Sequence, residues 1–160
     1  MNLENMLLAP TLSDEVTRPN EAWLIDTALL NFSHRSFVML VADVATRRPL
    51  SATLLLLNIE DVVATLQRLV VRSGSPKEVW MDHGFWHHHS PLLHDWADQR
   101  GISLVNSPVQ TKSIAERMLC DLHAFLRDQR PSTVRALGDD IERWRQSYRP
   151  DVSTLPDIDQ

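Results

Sequence analysis

Three apolar runs crowd into residues 22–57 with only short polar connections between them, before any helical period begins. The first covers about Ala22 to Asn31, the second Ser36 to Asp43 and the third Leu50 to Leu57. Each is rich in residues that suit a pleated, largely buried surface. Asn31-Phe32-Ser33-His34 and Thr46-Arg47-Arg48-Pro49 supply the turn chemistry between them. Connections this short predict an antiparallel meander, because parallel neighbours need a long crossover. After the meander the period changes. Asn58 is a candidate N-cap for a helix in which Ile59, Val62, Val63, Leu66, Leu69 and Val70 recur at helical spacing, ended by Ser73-Gly74-Ser75-Pro76. A buried strand, Lys77 to Asp82, follows, then a helix over about Ser90 to Gln99 that stops at Gly101, and a short strand, Ile102 to Val105. The rest reads as helices, the last over about Thr133 to Tyr148. This is an α/β order.

Within that frame, Asp26 is out of place. It sits inside Trp23-Leu24-Ile25-Asp26-Thr27-Ala28-Leu29-Leu30, where an unpaired carboxylate costs several kcal/mol or more. Asp82 ends a second apolar run, and Glu116 opens the helical stretch Ser113-Ile114-Ala115-Glu116-Arg117. Three acids delivered from two strands and a helix point to a divalent-metal site, because hard cations take oxygen ligands.

The helix carrying Glu116 has a clean projection. Ile114, Ala115, Met118, Leu119, Leu122, Phe125 and Leu126 share one apolar stripe. Lys112, Cys120, His123 and Arg127 fall within about 40° of Glu116 on the other side, at 100° per residue. Glu116 is therefore expected to face solvent or a cleft.

Length and charge narrow the classes further. At 160 residues, 43% of them apolar, the chain suits one compact globular domain, and its apolar runs, such as Leu54 to Leu57, are far below a membrane span. Residues 1–20 read as an N-terminal arm, 21–150 as the core and 151–160 as a flexible acidic tail. No secretory signal is legible at the start, and the lone Cys120 rules out an internal disulfide, so a reducing cytoplasm is expected. A net charge of −5 is awkward for gripping a phosphate backbone. Residues 21–120, however, hold ten acids and nine bases, so two divalent ions would turn that segment positive.

These residues also carry a family resemblance. Arg18-Pro19-Asn20-Glu21-Ala22-Trp23-Leu24-Ile25-Asp26-Thr27 resembles the start of the catalytic core of insertion-sequence transposases and retroviral-type integrases. Val41-Ala42-Asp43-Val44-Ala45-Thr46-Arg47-Arg48 continues the likeness, Asp82-His83-Gly84 resembles the second-acid motif, and Ser107-Pro108 the start of the active-site loop. Ser113 to Arg117 resembles the third-acid helix, and Trp144, Tyr148, Arg149 and Pro150 the C-terminal signature. The likeness spans residues 18–150. It implies a ribonuclease H-like α/β fold, with a mixed five-stranded sheet flanked by helices.

The resemblance further implies Asp26, Asp82 and Glu116 as a catalytic and metal-binding triad. Two Mg2+ or Mn2+ ions are expected, bridged by Asp26 and held singly by Asp82 and Glu116. The implied activity is DNA end cleavage and strand transfer by a metal-dependent polynucleotidyl transferase. DNA is the expected partner, with Lys112, His123 and Arg127 as contacts, and a homodimer is the expected assembly. The alternative is a degenerate or domesticated module that binds DNA or a partner protein without catalysis. A nuclease on the same fold is a third reading, because fold alone does not choose the substrate.

Three features depart from the family pattern. Only 33 residues separate Asp82 from Glu116, a shorter spacing than is common. Cys120 and His123 stand where relatives often carry bases. No helix-turn-helix fits between residues 1 and 20, so recognition of DNA ends is expected from a separate protein, from a segment outside this sequence, or not at all.

Other conspicuous residues have plainer readings. His87-His88-His89, with His83 and His94 nearby, read as solvated loop histidines rather than a zinc site, since adjacent residues point in different directions. Cys120 reads as a semi-buried helix residue, Asp43 as a structural acid paired with Arg47 or Arg48, and Trp80, Trp86, Trp96 and Trp144 as packing residues.

Overall fold

The structure, a computed structural model, describes residues 16–32, 35–55, 58–82, 85, 87–108 and 111–151. Most of the expected arm, the tail from residue 152, Ser33, His34, Leu56, Leu57, His83, Gly84 and Trp86 lie outside the described residues.

The meander forms as expected from β1 (Ala22–Asn31), β2 (Arg35–Asp43) and β3 (Arg48–Leu55), each antiparallel to the next. Helix α1 (Ile59–Ser73) then crosses back and delivers β4 (Glu78–Met81) parallel to β1. Asn58 caps α1 as its sequence position predicts, its side-chain oxygen accepting from the Asp61 N–H at 2.8 Å. Helix α2 (Pro91–Asp98) leads to β5 (Ser103–Asn106), parallel to β4, and two helices close the chain, α3 (Lys112–Gln129) and α4 (Val134–Ser147). The five-stranded mixed sheet has the order β3-β2-β1-β4-β5 and is flanked by helices, giving the ribonuclease H-like arrangement.

Side-chain alternation along each strand divides the core into two layers. On β1 the even positions Ala22 and Leu24 join Leu40, Ala42 and Trp80 beneath α3 and α4, against Met118, Leu122, Leu126, Ile141 and Trp144. The odd positions Trp23 and Ile25 join Met39, Val41, Val79 and Met81 beneath α1 and α2, against Val62, Leu66, Leu93 and Trp96. The stripe expected on α3 is the face that docks. Ala115, Met118, Leu119, Leu122 and Leu126 are buried, and Ile114 and Phe125 pack partly buried against the same cluster. Buried tryptophans find acceptors for their indole N–H, Trp80 on Glu78 at 2.7 Å, Trp96 on Gln67 at 3.1 Å and Trp144 on Asp121 at 2.7 Å.

At the start of β1, Asn20 fastens three segments. It adopts a left-handed conformation, φ 64°, which asparagine tolerates better than most residues. Its backbone N–H donates to Asp43 Oδ2 at 2.8 Å, its side-chain amide to the Ser73 carbonyl at 2.8 Å, and its Oδ1 accepts from the Trp23 indole at 2.8 Å. Gly74 ends α1 at φ +85° against this amide, and a Cβ there would lie 3.3 Å from Asn20 Nδ2. Asp43 has the structural role expected of it but with different partners. It is 4% exposed, and its two carboxylate oxygens accept from the backbone N–H groups of Asn20 and Ala45 rather than from Arg47 or Arg48.

Candidate active site

The parity that sorts the core also aims the acids. Asp26 has the same parity as Ala22 and Leu24, so it points toward the layer containing α3. Asp82 shares the parity of Trp80, another residue of that layer. The parallel register ends by pairing Ile25 with Met81, which puts Asp82, just past the end of β4, near enough to Asp26 for their charges to interact. Glu116 lies on the exposed side of α3, in its second turn, as the helical projection requires.

Electrostatics ties the three together. Burial pushes the Asp26 carboxyl above its ordinary value, while the Thr27 N–H, donating to Asp26 Oδ1 at 2.8 Å, pulls it back. The charges of Asp82 and Glu116 push it up again, and the ammonium of Lys112 offsets part of that. Lys112 sits one turn before Glu116 and makes an ion pair with Asp82 at 3.1 Å. This engagement of a residue expected on DNA has a signal in the sequence, because positions four apart share a helix face.

A divalent cation suits this donor set. Three carboxylates are hard oxygen ligands, and an acid raised by its burial and then by two like charges sits in a field that a cation would relieve. Among the described residues, however, no three His, Cys, Asp or Glu side chains already converge closely enough to hold one ion. Asp26 and Asp82 are brought together by their strands. Glu116 reaches them through its field, with Lys112 beside Asp82.

The remaining candidates fall into place nearby. On α3, His123 is half-buried with its ring 6.3 Å from that of Phe32, and Arg127 is exposed. Cys120 is exposed rather than semi-buried, because only one stripe of α3 docks and Cys120 lies on the Glu116 side. The histidine run forms a turn tied to its neighbours. His88 Nε2 is 2.8 Å from Asn106 Oδ1, and His94 Nε2 is 2.9 Å from the His88 carbonyl. A cleft lined by Arg47, Arg117 and Tyr148 escaped the sequence reading, since its walls are separated by most of the chain.

No protein-family model and no curated protein matches the sequence. Solved structures do match. The catalytic core domain of BIV integrase superposes with a TM-score of 0.68 at 13% identity, covering 84% of this chain and 88% of that one. The fold is that of a retroviral integrase catalytic core. The integrase core of HTLV-2, in a trimeric form in complex with magnesium, matches with a TM-score of 0.64 at 16% identity over 81% of this chain and 84% of that one. A chain of the simian T-cell lymphotropic virus intasome, in complex with the PP2A regulatory subunit B56 gamma, matches with a TM-score of 0.63 at 16% identity. That match covers 88% of this chain and 59% of the other. Among the described residues, no helix of this integrase-like core is long and apolar enough to cross a membrane.

Proposed function

We propose that the chain is the catalytic core of a metal-dependent polynucleotidyl transferase that cuts DNA ends and joins them to a target. The observation that supports this reading is the field at Asp26, whose carboxyl is raised by burial and then by the charges of Asp82 and Glu116, on an integrase-like fold. Asp26 on β1 and Asp82 at the end of β4 would hold the ions, with Glu116 completing the set from α3. Magnesium or manganese, when bound as a pair, activates the attacking oxygen and stabilises the leaving oxygen of an in-line displacement. The magnesium-bound HTLV-2 core supports the choice of ion, and the dimeric and trimeric forms of that core support a self-associating assembly. His123 and Arg127 extend the Glu116 face of α3 and serve as contacts for the DNA strand, joined by Lys112 when it leaves Asp82. The single exposed thiol, Cys120, suits a reducing cytoplasm.

The ion pair between Lys112 and Asp82 favours a second reading, a DNA-binding or partner-binding module whose tethered cation stands in for the metal. A manganese-dependent nicking and strand-transfer assay on short duplexes separates the two. Wild-type protein is expected to nick and join, and Asp82→Asn protein to do neither. Equal products from both proteins would remove the triad from the chemistry, and no products from wild type would select the module.

A further inference from the structure

Next to Glu116, on the adjoining face of α3, lies a cleft of about 160 Å³ that the proposed chemistry does not use. Arg47 enters it from the turn between β2 and β3, Ser113 and Arg117 from the start of α3, and Tyr148 and Asp151 from the segment after α4, over a floor that includes Met118. Among the described residues neither guanidinium is engaged in an ion pair. Arg47 adopts a left-handed backbone, φ 54°, a conformation sparsely populated by residues with a Cβ and found preferentially where a side chain has a task.

The start of α3 adds to the positive field. Ser113, in the first turn of this 18-residue helix, lines the cleft, so the positive end of the helix lies at its wall. Burial, with the Asp121 carboxylate nearby, pushes the Tyr148 phenol above its ordinary value, which keeps its hydroxyl a donor at neutral pH. Asp151 is the one acid among the lining residues, so the cleft is cationic in a chain of net charge −5. Two guanidiniums and the Tyr148 hydroxyl lining one space match the oxygens of a phosphate, because arginine forks engage phosphate in pairs of parallel bonds.

We propose that this cleft binds a backbone phosphate of a DNA strand, held between Arg47 and Arg117 with Tyr148 donating. The proposal rests on the reading of the chain as a DNA-processing core. Arg117 directly follows Glu116, so the clamped phosphate lies along the same strand as the one presented to the carboxylates. The cleft fixes the strand's register and leaves the displacement to the acids.

The test is the salt dependence of duplex binding by the full chain, followed by fluorescence anisotropy, for wild type and for the double variant Arg47→Gln, Arg117→Gln. Both positions carry side chains that reach solvent, and an unchanged melting temperature and manganese binding heat will show that the fold and the acidic site are intact. Loss of two phosphate-engaging charges is expected to reduce the slope of log K against log salt by about 1 to 2 and to weaken binding about tenfold near 0.1 M salt. The paired lysine variant, Arg47→Lys, Arg117→Lys, keeps most of the slope. Equal slopes for wild type and the glutamine variant overturn the proposal, as does inorganic phosphate shifting the arginine Nε resonances while duplex binding is absent. A slope difference without manganese-dependent nicking upholds the clamp and rejects the catalytic reading. Nicking with equal slopes does the reverse.

Discussion

Replacing Lys112 by methionine removes a positive charge that acts on both Asp26 and Asp82 while keeping an unbranched side chain on the helix. The Nζ of Lys112 lies 3.1 Å from Asp82, with the two side chains 48% and 45% exposed, so the pair belongs to the screened surface class worth about 0.2–1 kcal/mol. A cation approaching Asp82 must first displace it. Beyond that, a divalent ion about 6 Å from a lysine in a water-like medium is repelled by roughly 1.4 kcal/mol before salt screening. Together the two effects amount to roughly 1–2 kcal/mol, or about 5- to 30-fold in affinity. Isothermal titration with manganese at fixed ionic strength should therefore show Lys112→Met binding about tenfold more tightly than wild type. The metal-free variant should melt at a lower temperature, because Asp26 and Asp82 lose their compensating charge. Manganese affinity that is unchanged or weaker in Lys112→Met would refute the idea that this lysine competes for the cation site.

Three further outcomes follow from the burial and hydrogen bonding of Asp26, Asp43 and Trp144. Asp26→Asn should raise the melting temperature of metal-free protein at neutral pH. Its folded-state carboxyl is raised, so the penalty is absent below the unfolded value, grows as pH rises between the two values, and is complete above the folded one. The gain should vanish on acidification, and a variant that melts below wild type at neutral pH contradicts the burial argument. Asp43→Ala strands two backbone donors at a site that is 4% exposed and should cost about 1–3 kcal/mol per stranded group, read from the urea midpoint at constant slope. Trp144→Ala should cost about 3–5 kcal/mol, since the ring is buried under α4 and its N–H satisfies Asp121, and a loss under 1 kcal/mol would mean that α4 is not part of the cooperative core.

Much of this architecture could be read from the chain because it depends on local period. Alternation along Trp23 to Asp26 separates the faces of the sheet, and a 100° step along α3 separates Glu116 from Met118. The order of strands and helices followed from the turns. What escaped was set by partners distant in sequence. Asp43 looked like a mate for a neighbouring arginine, yet the donor that claims one of its oxygens comes from Asn20, 23 positions earlier, in a left-handed turn invisible to composition. Likewise the cleft joins Arg47 to Arg117 and Tyr148, and no periodic signal links residues so far apart. Cys120 was placed too deep, although its projection beside Glu116 already argued for solvent.

The fastening at Asn20 has a mechanical consequence. Tension arriving from residues before 20 meets a rivet that spans the corner of β2, the end of α1 and the first indole of β1, and it is shared among three elements before it reaches the strand. Asp26 lies six residues beyond, roughly 20 Å along an extended strand. A bulky cargo fused ahead of this point can therefore tug and swivel while the carboxylate face stays in register. Cutting the rivet with Asn20→Ala would turn the same tether into a lever on the strand that carries Asp26.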